Sequence, residues 1–147
     1  MAKKVRWGLL STANINKALI APLQRAERSE LVAVASRDSA KASAYAKEYG
    51  IPQAYGSYEA LLADPEIDAI YNPLPNLLHR EWTVKAADAG KHVLCEKPLV
   101  TTLADFDEVS AAAARNKVTI FEAFMYLHHP QTLTVLDLVR AGAFAPA

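Results

Sequence analysis

Short runs of almost continuous apolar residues alternate along this chain with stretches in which apolar positions recur every three or four residues. Six such runs predict strands, at residues 5–10, 31–35, 54–55, 68–71, 91–95 and 118–121. Near-continuous rather than alternating apolar character is expected of parallel strands covered on both faces. Between them, Ile15, Leu19 and Leu23 fall on one helical face at i, i+4 and i+8. Ala42, Tyr45, Ala46 and Tyr49 form a second face, which stops at Gly50. Asp38 is placed to start that second helix, and Ser57 to cap a short one over residues 58–63, broken by Asp64-Pro65. Asn76 is placed to cap the helix carrying Leu78, Trp82 and Ala86, with Gly90 at its end. Thr102-Leu-Ala-Asp105 reads as a capping box ahead of Leu103, Phe106, Val109 and Ala113. A last helix, over residues 131–140, is too densely apolar to face water on more than a narrow side. Alternation of this kind predicts an α/β fold, a doubly wound parallel sheet with right-handed crossovers. Residues 1–147 are expected to form one domain, with the last helix at a junction.

Composition narrows the function classes. The 147 residues, 52% of them hydrophobic, suffice for a real core. Sixteen basic and sixteen acidic side chains cancel, so charge gives no reason to expect nucleic acid or an anionic membrane as partner. Cys95 is the one cysteine, no apolar run approaches a membrane span, and no signal-peptide core follows Met-Ala-Lys-Lys. A cytoplasmic location is the expectation, and no metal site is expected.

Candidate chemistry sits where strands end. The first strand runs into Ser11-Thr-Ala-Asn-Ile15, a tight small-residue turn that opens a helix, as in a dinucleotide-binding unit. Aligned on Gly8, the turn carries Ser11 and Ala13 where further glycines usually stand. Small residues still let a pyrophosphate approach the free N–H groups of the helix start. The second strand ends in Ser36-Arg37, about 20 residues on, where a ribose-reading acid is usual. A hydroxyl and a guanidinium there suit a 2′-phosphate; alternatively Arg37 is a solvated loop charge. After the fifth strand comes Glu96-Lys97-Pro98, in which proline biases Lys97 toward an extended backbone at the rim where ligands bind. The plainer alternative is a solvated lysine beside a turn. His79 has a plain reading too, as a surface histidine in a helix's first turn, and Cys95 reads as packed within its strand.

Four segments together resemble the glucose–fructose oxidoreductase/inositol dehydrogenase family. They are Gly8-Leu-Leu-Ser-Thr-Ala-Asn-Ile15, Tyr71-Asn-Pro-Leu-Pro-Asn-Leu-Leu-His79, Gly90-Lys-His-Val-Leu-Cys-Glu-Lys-Pro98 and Glu122-Ala-Phe-Met-Tyr126. Within it, the branch of NADP-dependent xylose and dihydrodiol dehydrogenases is most similar, and its Ser-Thr-Ala-Asn turn accounts for the missing glycines. The resemblance implies a Rossmann domain that precedes a second α/β domain, of which this sequence holds the first. It implies Lys97 as general acid/base near the nicotinamide and the reacting oxygen of a sugar, polyol or related diol. Gly8 and the loop Ser11, Thr12, Ala13, Asn14 and Ile15 would cradle the pyrophosphate of NADP. Ser36, Arg37 and Lys41 would hold its 2′-phosphate, with Tyr58 as a neighbour. Pro73, Leu74, Asn76, His79, Glu96 and Lys97 would line the nicotinamide half, and Tyr126 and His129 the substrate side. Two departures stand out. Leu127 replaces an arginine usual after Tyr126, and nothing here matches the aspartate, tyrosine or histidine of the second domain. A homo-oligomer, or dependence on that second domain, is therefore expected. A non-catalytic NADP-binding module and an inactive fragment are the alternative readings.

Overall fold

A computed structural model describes residues 3–144. Six strands, β1 (Val5–Leu10), β2 (Ser29–Ala35), β3 (Gln53–Tyr55), β4 (Ala69–Asn72), β5 (His92–Cys95) and β6 (Ile120–Glu122), form one sheet in the order β3-β2-β1-β4-β5-β6. Every neighbouring pair is parallel. The helices are α1 (Asn16–Arg25), α2 (Ser39–Tyr49), α3 (Tyr58–Leu62), α4 (Asn76–Asp88), α5 (Leu103–Asn116) and α6 (Pro130–Arg140). A 3-10 turn over Met125–His128, which the apolar spacing does not show, precedes α6.

Alternation along each strand divides the core between the two sheet faces. Leu9 of β1, Val34 of β2 and Tyr71 of β4 pack with Ile20 and Leu23 of α1 and Ala46 of α2. Their neighbours Leu10, Ala35 and Ile70 pack on the other side with Leu61 of α3 and Trp82 and Ala86 of α4. Chain order reverses between β1 and β4, so a crevice opens at their carboxyl ends.

Local chemistry fixes most helix starts. Asp38 Oδ1 accepts from the amides of Ala40 (2.9 Å) and Lys41 (3.1 Å). Ser57 Oγ accepts from Ala60 N at 3.1 Å, and Thr102 Oγ1 from Asp105 N at 3.1 Å. Gly50 and Gly90 take the left-handed backbone, with φ of 64° and 74°, that ends α2 and α4.

Two expected helix features are corrected. Asn76 does not cap α4; it is the first helical residue, and Pro75 holds the cap position without a side-chain bond. Of the expected α1 face, Leu23 is buried and Leu19 packs against the core, but Ile15 is 41% exposed, and Asn16 and Ile20 complete the buried side. The cause is Asn16, whose Nδ2 donates to Ser11 O at 2.8 Å and pins the start of the helix beneath the preceding turn.

Candidate functional site

The turn after β1 is shaped by one residue. Ser11 has φ of 89°, a conformation that favours glycine, and its amide still donates to Ala35 O of β2 at 3.0 Å. The chain thus leaves the sheet at the position where the fingerprint has a glycine. Beyond it, the amides of Thr12, Ala13, Asn14 and Ile15 have no backbone acceptor among the described residues. Four free N–H groups at the mouth of a helix make an anion cradle. Ser11 Oγ is buried without a partner beside them. Gly8 lies elsewhere, buried within β1. A Cβ there would come within 3.1 Å of Leu61 and 3.3 Å of Ile70, so its place is packing against α3 rather than the turn.

A cavity of about 570 Å³ opens from this turn to the ends of β2 and β4. Ser11, Thr12 and Ala13 form one wall, Ser36, Arg37, Lys41 and Tyr58 another, and Pro73 and Leu74 a third. Ser36 is buried, and its Oγ accepts from Asp38 N at 3.3 Å. Tyr58 stands edge-on to Trp82, with ring centroids 4.9 Å apart. Burial raises the Tyr58 hydroxyl above its ordinary titration range, opposed by the Arg37 guanidinium beside it. Arg37 and Lys41 are exposed, and among the described residues neither is taken up by an acid. Asp38, the nearest carboxylate in sequence, is occupied as the cap of α2. Lys17, which sequence reasoning passed over, lines an adjoining cavity with Asn14 and Lys41. The signal for it is one turn of helix beyond the anion cradle.

At the ends of β5 and β6 a second cavity, also about 570 Å³, brings together Lys97, Tyr126 and His129, with Phe124 and Met125 between them. Lys97 is exposed, and the Lys97–Pro98 peptide bond is cis. His129 is also engaged locally, its Nδ1 accepting from Gln131 N at 3.2 Å at the start of α6. Glu96 faces a neighbouring apolar cavity of about 400 Å³ that also includes Ile15 and Phe124. Its Oε1 accepts from Tyr71 OH at 2.7 Å. Burial first, and Glu96 second, push the Tyr71 hydroxyl far above its ordinary range. Tyr71 therefore remains a donor and holds the carboxylate in place. Leu99 N donates to Glu122 Oε1 at 2.7 Å and ties the segment after Lys97 to β6. Cys95 is fully buried, and desolvation pushes its thiol up to about 12, so it is packed rather than reactive.

Two expected lining residues stand differently. Asn76 is exposed and lines neither large cavity. His79 is neither a surface residue nor free for a ligand: it is 1% exposed, and carbonyl oxygens engage both ring nitrogens. Asn72, unnoticed in the sequence, is its buried neighbour. The Asn72 Nδ2 donates to Thr83 Oγ1 at 3.2 Å, and its Oδ1 accepts from Leu74 N at 3.3 Å. The Pro73–Pro75 loop is thus backed by a polar network beneath it.

Residues 5–124 match the GFO/IDH/MocA group, described as an oxidoreductase family with an NAD-binding Rossmann fold. The chain belongs to this family. Among its relatives, the D-xylose 1-dehydrogenase (NADP(+)) 2 of Haloferax volcanii is 53% identical over 139 residues, 92% of this chain and 42% of that protein. Trans-1,2-dihydrobenzene-1,2-diol dehydrogenase of Xenopus laevis is 42% identical over 121 residues, 81% of this chain and 37% of that protein. KijD10, a 3-ketoreductase from Actinomadura kijaniata solved with TDP-benzene and NADP, superposes with a TM-score of 0.88 at 36% identity. That match covers 95% of this chain and 44% of the ketoreductase. The chain therefore spans about 42% of the length of the first of these GFO/IDH/MocA relatives. The family match takes in the first cavity and Lys97 but stops short of Tyr126 and His129, which line the second, and of α6.

Proposed function

We propose that this chain is the cofactor-binding part of an NADP-dependent oxidoreductase acting on a sugar, polyol or related diol. One observation carries the proposal: a hydroxyl and two cations without acidic partners, Ser36, Arg37 and Lys41, share a cavity with the free amides after β1. A pyrophosphate fits those amides, and Ser11 Oγ, buried without a partner, supplies a further donor. Arg37 and Lys41 suit the 2′-phosphate that distinguishes NADP from NAD, because a charge-assisted pair with phosphate is stronger than a neutral bond. The NADP named for the Haloferax relative, and bound in the ketoreductase, agrees with this assignment.

When bound, the cofactor supplies hydride exchange at its nicotinamide. The chain's own part is to orient it and to move a proton. As hydride leaves the substrate carbon, the hydroxyl oxygen on that carbon must lose its proton to a base within about 3 Å. Lys97 Nζ has that role, and in the reverse direction it returns the proton to the carbonyl oxygen. Tyr126 and His129 share its cavity and would contact the substrate. Glu96, held by Tyr71, fixes the start of the Lys97 segment. A second domain beyond these residues would cover the open side of the cavity, with α6 at the junction, in a soluble cytoplasmic enzyme.

The exposure of Lys97, Tyr126 and His129 favours a second, narrower statement: alone, the 147-residue chain binds NADP with little or no turnover, since a sugar would be held on one side only. The test joins the chain to a second domain of the family and compares it with its Lys97→Met variant. Turnover is expected to fall by roughly 10²–10⁴-fold, with NADP affinity nearly unchanged. Unchanged turnover would remove Lys97 from the role.

A further inference from the structure

Ser11, not Gly8, makes the tight turn after β1. Gly8 is buried within the strand, whereas Ser11 carries the left-handed φ of 89°. Counted from Ser11, the dinucleotide fingerprint G-x-G-x-x-G falls on Ser11, Ala13 and Asn16, and none of the three is glycine. In that fingerprint the first place serves the turn, the second lets backbone approach a pyrophosphate, and the third lets helix and strand pack closely. Alanine meets the second need. Serine at the first place and asparagine at the third both depart from the rule.

The two departures are bonded to each other. Asn16 Nδ2 donates to Ser11 O at 2.8 Å. A carbonyl only accepts, so the amide nitrogen must be the atom that faces it. On the other side, Ser11 N donates to Ala35 O at 3.0 Å. Both peptide planes that meet at Ser11 are thus anchored, one to β2 and the other to α1. They hold a conformation that a residue with a Cβ disfavours. Asn16 is fully buried, and the bond to Ser11 O is the one side-chain hydrogen bond it makes among the described residues. Its Oδ1 is buried without a partner there, which costs stability that an alanine would not lose. The contribution of this amide therefore lies in the turn.

We infer that Asn16 is a positioning residue for the anion cradle, holding by a side-chain bond the turn that glycine would otherwise make. By fixing Ser11 O it keeps the amides of Thr12, Ala13, Asn14 and Ile15 turned out of the sheet and free for an anion. Buried beneath the turn, it acts through Ser11 and not on the anion itself. That the anion is the pyrophosphate of NADP rests on the function proposed above; the dependence of Ser11 on Asn16 does not.

A double-substitution cycle on the 147-residue chain tests the pair, with wild type, Asn16→Ala, Ser11→Gly and the two together. Glycine takes the turn's conformation unaided, so in the Ser11→Gly background Asn16 has nothing left to hold. In calorimetric titration with NADP⁺, Asn16→Ala is expected to weaken binding roughly tenfold when Ser11 is present. In the Ser11→Gly background the same substitution is expected to weaken it less than about threefold. NAD⁺ should lose affinity by the same factor as NADP⁺, because the pyrophosphate is common to both. An equal loss in the two backgrounds, no loss in either, or a loss confined to NADP⁺ would overturn the inference. Urea unfolding without cofactor reads the same cycle. Asn16→Ala should lower the midpoint more with Ser11 present than in the Ser11→Gly background, and equal lowering would again overturn it. Should Asn16→Ala alone fail to fold, a folded double variant supports the inference and an unfolded one overturns it. A chain that shows the coupling in urea yet binds no NADP⁺ would sink the cofactor proposal and leave the hold of Asn16 on Ser11 standing.

Discussion

Ser11 accepts a left-handed backbone and an unpartnered hydroxyl at once, and both bear on stability. A residue with a Cβ costs roughly 1–2 kcal/mol in that conformation, partly offset by the greater unfolded-state freedom of glycine. Ser11→Gly should therefore stabilise the cofactor-free chain by about 0.5–1 kcal/mol, and Ser11→Val should destabilise it. Urea unfolding measures both, and a less stable glycine variant would contradict the account. At the opposite end of the sheet, Asp68 Oδ2 accepts from Arg6 N at 2.9 Å and Arg6 Nε at 3.1 Å. Those hydrogen bonds hold the carboxylate well below its ordinary range. A depressed folded value means that its stabilisation is present above the unfolded value, about pH 4, and is lost as pH falls further toward the folded value. Asp68→Asn should cost about 1–2 kcal/mol at pH 7. The gap from wild type should narrow below about pH 4. Urea midpoints at neutral and acid pH check this; a constant gap would refute it.

Elements whose causes lie within a few residues were legible in the sequence. Asp38, Ser57 and Thr102 cap where short-range chemistry places them, and Gly50 and Gly90 end helices as expected. Thr102→Ala should accordingly lower stability by about 1 kcal/mol in thermal or urea unfolding, because Asp105 N loses its acceptor. No change on substitution would mean that the box is unimportant to α5. Features set by distant partners were not legible. Ile15 does not join Leu19 and Leu23 on the inner face of α1, because Asn16 answers to Ser11 O, a demand of the turn and not of apolar spacing. Neither the plain surface reading of His79 nor its expected place in the nicotinamide lining foresees its burial, because the carbonyls it contacts, five and nineteen residues away, leave no trace in side-chain pattern. The turn, the Ser36-Arg37 end of β2 and Lys97 could be picked out because each follows directly from a strand end. The placement of Gly8 against Leu61 could not, since α3 lies more than 50 residues further on.

In the whole molecule, apolar surface gathers on α6 and the strand edge before it. Leu133, Val135, Leu136, Leu138 and Val139 are between 40% and 57% exposed, and Phe121 and Met125 are exposed nearby. An apolar area of this kind favours association, whether with a second domain or with another copy. Sedimentation over a concentration series should show reversible self-association of the isolated chain; a strictly monomeric species at high concentration would contradict it. The sheet, in contrast, is complete as a frame for the cofactor cavity, whose walls come from the segments that follow β1, β2, β3 and β4. This frame is built to read a 2′-phosphate, with Ser36, Arg37 and Lys41 at its rim. Calorimetric titration of the 147-residue chain with NADP⁺ and NAD⁺, repeated on Arg37→Ala, tests it most directly. The account predicts tighter binding of NADP⁺ by the wild type. It also predicts a loss of about 1.5–3 kcal/mol for NADP⁺ in the variant, with NAD⁺ binding little altered. Equal affinity for the two cofactors in the wild type, or an equal loss for both in Arg37→Ala, would contradict it.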